Sequence, residues 1–146
     1  MIVLAVILSF VLLLITTLHV YWGIGGIWPG TDQASCARAV VGFRGVDEMP
    51  STVASFAVAA CLTLATLWPL ALAGVFATPF PREGLAATAL MIGLVFLGRG
   101  IAGFTSWWRR LAPEQPFARL DQRLYSPLCL LIGLGFAILA ITEFPA

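Results

Sequence analysis

The chain has 146 residues, 60% of them hydrophobic and only 10% charged. Soluble domains are about 45–50% apolar and about 25% charged, so a chain of this size holds more apolar surface than a water-facing fold can bury, and lipid must solvate part of it. A net charge of +1 gives no field to recruit nucleic acid or an acidic partner, and Cys36, Cys61 and Cys129 are too dispersed for a disulfide framework or a zinc site.

The first apolar run, "IVLAVILSFVLLLITTLHVYW" from Ile2 to Trp22, is long enough to cross a bilayer core of roughly 30 Å. It has no preceding basic residue, exceeds a signal-peptide core in length and lacks an A-x-A site, so it reads as a retained helix. The only histidine, His19, sits at its end, followed by "YWGIGGIWPG". These glycines follow a helix rather than a strand, which makes them a helix stop and turn, not a phosphate loop.

The second run extends from about Ser51 to Ala77 with Pro69 inside it, so a kink or local unwinding is expected near Thr66 to Pro69. "TPFPREG", Thr78 to Gly84, is a tight turn. The third run goes from Leu85 to about Trp108, and its Gly93, Gly98, Gly100, Ala102 and Gly103 offer small surfaces for close helix contact. The fourth runs from about Leu124 to Phe144, with Pro127 in its first turn, where a missing N–H costs little. The expectation is one all-α integral-membrane domain over residues 1–146, a bundle of four transmembrane helices with the second kinked at Pro69. Cys61 and Cys129 are expected as buried small hydrophobes. The two halves do not mirror each other, which gives little support to an inverted-repeat transporter.

Four spans put both termini on one side. Loops one and three hold Arg38, Arg44, Arg109, Arg110, Arg119 and Arg123, whereas the opposite side holds only Arg82. The positive-inside rule then places these loops in the cytoplasm and the termini outside. Trp22, Trp28, Trp107 and Trp108 fall at the same interface, as an aromatic belt does.

Charge inside a span is costly and therefore informative. Arg99 in "FLGRGIAGF" is the one unambiguous intramembrane charge, roughly 13 Å inside by helical rise. His19 ends the first span; Asp121 and Tyr125 begin the fourth, four residues apart and so on one face of an early-starting helix; Glu48 and Ser51 open the second. Polar residues thus gather at one membrane face. The candidate cluster is His19, Trp22, Glu48, Arg99, Asp121 and Tyr125. Two readings of it stay open: an architectural Arg99–Asp121 ion pair with His19 and Tyr125 as interfacial anchors, or the polar end of a pocket in which His19 or Asp121 moves a proton. A single histidine excludes bis-His haem and a His-rich metal cluster, and neither a G-x-S-x-G elbow nor a Walker motif occurs. No metal and no cofactor are expected.

Three stretches, "HVYWGIGG", "RGIAGF" and "FARLDQRLYSPLCL", together resemble the bacterial integral-membrane family catalogued as domain of unknown function 3995, over roughly Phe10 to Ile141. The resemblance marks His19, Tyr21, Trp22, Gly25, Gly26, Arg99, Phe117, Asp121, Tyr125, Ser126 and Pro127. It implies a four-helix fold in a bacterial inner membrane and no established activity. Two functions remain: an uncharacterised membrane protein that binds or transforms a small lipophilic ligand, or a non-catalytic accessory or scaffold subunit that packs against partner membrane helices, with the cluster as an ion-pair lock. A transporter or channel is weakest, because the polar residues do not continue across both leaflets.

Overall fold

The computed structural model describes residues 1–143, and among these there are helices and no strand. Four helices are long and apolar enough to cross a membrane: α1 (Ile2–Gly23), α3 (Thr52–Leu72), α4 (Arg82–Ala102), and a fourth over Phe117–Glu143. The fourth is built from α6 (Phe117–Leu120), a π-helical turn (Asp121–Tyr125) and α7 (Ser126–Glu143). Short helices α2 (Gln33–Val40) and α5 (Ser106–Leu111) lie in loops one and three. The expected end of the fourth span, Phe144, lies outside the described residues.

The bundle is two helical hairpins, α1 with α3 and α4 with α7, joined by sparser contacts. Small residues let each pair approach closely, since apolar helices in lipid associate by packing and hydrogen bonding rather than by hydrophobicity. Ser9 Oγ donates to the Thr66 carbonyl at 2.7 Å, bridging α1 to α3. That carbonyl lies three residues before Pro69, which supplies no N–H to the helix, and α3 remains helical through the proline. Between α4 and α7, a Cβ on Gly133 would stand 2.8 Å from the Gly93 carbonyl, so only a glycine fits there.

All four helices meet around Ala5, Leu8, Leu72, Ala89, Phe136 and Leu139. These residues lie toward the termini and loop two. At the other end the hairpins are held by loops: Arg44 N–H donates to the Leu111 carbonyl (3.3 Å), Glu114 N–H to the Gly42 carbonyl (3.1 Å) and Gly45 N–H to Glu114 Oε1 (2.9 Å). Loops one and three therefore share one face. The outward sides are apolar and open: Val3 is 74% exposed and Val53 78%. Such a surface is compatible with a multi-pass membrane protein.

Several boundaries differ from those the sequence suggests. The second span stops at Leu72 rather than Ala77, because Gly74 adopts a positive φ of 72° and Val75 N–H returns to the Leu70 carbonyl, closing the helix end. The third stops at Ala102 rather than Trp108. Thr105 then caps a new helix by accepting from Trp108 N–H at 3.2 Å. The fourth begins at Phe117 rather than Leu124, so Pro127 is not in its first turn. Cys61 is exposed, Cys129 half-buried and Cys36 fully buried, which corrects the expectation for the first two. An outward helix face in an apolar chain is itself apolar, so hydrophobic surroundings in sequence do not mark the inside.

Candidate functional site

The polar cluster forms where α4 ends against the π turn. Asp121 is 2% exposed. Its Oδ1 accepts from Arg99 Nη2 at 2.6 Å and from Ser126 Oγ at 3.1 Å, while Oδ2 accepts from Trp108 Nε1 at 3.0 Å. Arg99 Nη1 also donates to Ser126 Oγ at 3.3 Å. The guanidinium carbon lies 4.7 Å from the centroid of the Trp108 ring, a cation–π distance. A partly buried arginine thus has an anion, a hydroxyl and an aromatic face as partners.

Local sequence explains the arrangement. Gly103 lies one turn beyond Arg99, and a Cβ there would overlap Ser126 Oγ and come within 2.8 Å of Asp121 Oδ2. The "RGIAG" motif therefore pairs a charge with the gap that admits its partner. In the π turn Ser126 N–H bonds to the Asp121 carbonyl, five residues back instead of four. Pro127 follows immediately; it lacks an N–H, and its ring crowds the carbonyl of Arg123 in a regular α-turn. The wider turn relieves this and brings Ser126 into hydrogen-bonding reach of Asp121.

The same turn separates Tyr125 from the cluster. Its hydroxyl donates to the Ala39 carbonyl at 3.1 Å, tying α2 to the fourth helix, and its ring stacks near Phe117 with centroids 5.7 Å apart. Asp121 and Tyr125 are four residues apart, but their polar atoms take separate partners, the Tyr125 hydroxyl reaching the Ala39 carbonyl and not the carboxylate. His19 is elsewhere as well. Its Nδ1 lies 2.9 Å from the Ile15 carbonyl, which requires the proton on Nδ1, and its ring meets the edge of Trp22 at 5.2 Å. Trp22 Nε1 donates to the Trp28 carbonyl at 2.7 Å. Among the described residues His19 has no hydrogen bond to Arg99, Asp121 or Tyr125.

Glu48 is exposed on the rim of an open cleft of about 620 Å³ with Asp32, Asp47 and Met49. Of the six candidates, the structure thus joins Arg99 with Asp121 and His19 with Trp22, and leaves Tyr125 and Glu48 apart. The candidate cluster read from the sequence leaves out two members, of which the family resemblance marks Ser126 but not Trp108. Trp108 looks like one more belt tryptophan, and Ser126 aligns with Asp121 only through the π turn, which the fourth helix does not signal beyond its "SP" pair.

Neither Asp121 nor Arg99 lines that cleft or the next concavity. The second concavity, an apolar groove of about 390 Å³, lies between α3 and α4 against Val58, Cys61, Leu62, Ile92, Val95 and Phe96. Among the described residues no buried side-chain nitrogen or oxygen lacks a partner, and no group of three or more His, Cys, Asp or Glu is arranged to hold a metal ion.

No curated protein and no solved structure matches the chain. A family model does match, over residues 12–136, and that span contains the Arg99, Trp108, Asp121 and Ser126 cluster together with His19 and Tyr125. The chain belongs to the family described as Protein of unknown function (DUF3995).

Proposed function

We propose that this is a multi-pass inner-membrane protein without a catalytic centre of its own, an accessory or scaffold subunit whose Arg99–Asp121 pair locks α4 to the fourth helix. The observation that carries the reading is closure of the cluster. Asp121 accepts from Arg99, Trp108 and Ser126, which takes up most of its acceptor capacity, and at 2% exposure it offers little surface to a substrate. A proton-transfer group must reach the atom it serves, and Asp121 lines neither the cleft beside Glu48 nor the groove between α3 and α4. The arginines of loops one and three support placing those loops in the cytoplasm and both termini outside.

The test is Asp121→Asn and Arg99→Gln singly, beside the swapped pair Arg99→Asp with Asp121→Arg. Each single variant is expected to lower the yield of folded protein, and the swap to recover part of it. Wild-type yield and melting in both single variants rule out the lock. A second reading, a binder of a small lipophilic molecule, is favoured by the groove between α3 and α4, whose size suits a ligand. Mass spectrometry on protein purified in mild detergent separates the two. A stoichiometric apolar compound that is lost in Cys61→Trp supports the binder.

A further inference from the structure

Loop three concentrates charge that nothing in the described chain neutralises. Arg109, Arg110, Arg119 and Arg123 are all exposed, and the ion pairs among the described residues are Arg82–Glu143 and Arg99–Asp121 alone. Of the carboxylates that share the segment, Asp121 is paired with Arg99, and Glu114, whose Oε1 accepts from Gly45 N–H at 2.9 Å, forms no ion pair with these four arginines, so the segment keeps a net positive charge. Loop one is different, since Arg38 and Arg44 are outnumbered there by Asp32, Asp47 and Glu48. The positive field of this face therefore belongs to loop three.

The arginines are held beside exposed apolar side chains. Trp108 anchors α5 to Asp121, and Gln122, with its amide oxygen toward Arg109, accepts from Nε at 2.8 Å and Nη2 at 3.0 Å. This docks Arg109 against the turn that carries Arg123. Phe104 (50% exposed), Trp107 (66%) and Leu124 (53%) flank the same segment. Tryptophan favours the headgroup level of a bilayer, where one side of it is apolar and the other wet. Guanidinium groups take phosphate oxygens bidentately. We infer that loop three is a binding surface for the headgroups of anionic phospholipids, with the arginines on the phosphates and Trp107, Phe104 and Leu124 among the upper acyl carbons. This rests on the membrane placement proposed above.

The full chain, reconstituted in phosphatidylcholine vesicles containing phosphatidylglycerol, tests it. Tryptophan fluorescence is quenched in parallel with brominated phosphatidylglycerol and with brominated phosphatidylcholine. The brominated anionic lipid is expected to be preferred about fivefold, and the preference to fall with added salt. In R109Q/R110Q/R119Q/R123Q the ratio drops to about one, whereas the corresponding all-lysine variant keeps only part of it, since each lysine carries the same charge toward the anionic surface but cannot take a phosphate bidentately. Equal quenching by the two lipids in the wild type overturns the inference, as does an unchanged ratio in the glutamine variant. If the fourfold variant does not insert, R109Q/R110Q and R119Q/R123Q are measured separately, each expected to lose part of the preference. Release of the wild-type protein by alkaline carbonate is a separate outcome: it overturns the membrane placement itself, and the lipid inference with it.

Discussion

Asp121 and Asp32 show two uses of one side chain. Asp121 is buried under a guanidinium, and removing its charge leaves Arg99 with a hydroxyl and a ring but no anion. Losing one partner of a buried pair costs about 3–5 kcal/mol; because 31% of the Arg99 side chain stays exposed, the lower end, about 3 kcal/mol, is expected for Asp121→Asn in a denaturant titration. Asp32 is exposed and caps α2, accepting from Ser35 N–H at 2.7 Å while the Ser35 hydroxyl accepts from the Asp32 amide at 3.1 Å. The hydrogen bonds from Ser35 hold its carboxyl below the ordinary aspartate value of 3.8. A depressed carboxylate stabilises the fold above its unfolded value and loses that contribution as pH falls through the folded one. The Ser35 amide resonance should therefore titrate with a midpoint below 3.8, and Asp32→Asn should abolish the titration. A midpoint at or above the ordinary value would contradict the cap. The Arg99–Asp121 pairing was legible from the cost of a charge within an apolar run. The separation of His19 was not, because equal depth along a helix says nothing about which way its face turns.

The four long helices were visible in the sequence as apolar runs of bilayer length, and their ends were less so. Gly74 and Gly103 end α3 and α4 by backbone geometry and close approach, both weaker signals than hydropathy. The short helices α2 and α5 carry cap signatures, Asp32 with Ser35 and Thr105 ahead of "SWW", that hydropathy does not register. The two glycines of α4 and its cap give opposite predictions. A methyl group added at Gly98 would have nothing within 4 Å, and the backbone there is helical, so Gly98→Ala should stabilise by about 0.8–1 kcal/mol from helix propensity alone. Gly103→Ala meets Ser126 and Asp121 and should cost about 1–3 kcal/mol by overpacking. It should also move the indole N–H resonance of Trp108, which donates to the same carboxylate. Equal melting temperatures for the two variants would refute the close fit between α4 and the π turn.

Taken whole, the molecule is two hairpins joined at opposite ends by different means. Toward the termini the link is mainly apolar, around Leu8, Leu72, Ala89, Phe136 and Leu139, with one hydrogen bond from Trp68 Nε1 to the Leu85 carbonyl at 3.0 Å. Toward loops one and three it is polar, through Tyr125 to Ala39, Gly45 to Glu114 and Glu114 to Gly42. Loop two takes no part in either: Val75, Phe76 and Phe80 are exposed, and the segment mainly closes the end of α3. Tolerance to cutting follows the burial and hydrogen bonding of the backbone that is cut. A protease site inserted after Ala77 should therefore be cleaved in the purified protein, with the halves staying together through both links and the melting temperature little changed. The same site inserted after Glu114 breaks the polar link and strains the tie between α5 and Asp121, so it should lower stability even before cleavage. Halves that separate after the loop-two cut would show that the covalent connection, not the two interfaces, holds the hairpins together. An uncleaved Glu114 insertion with wild-type melting would show that the loop contacts are dispensable to the fold and that the link toward the termini is enough to join the hairpins.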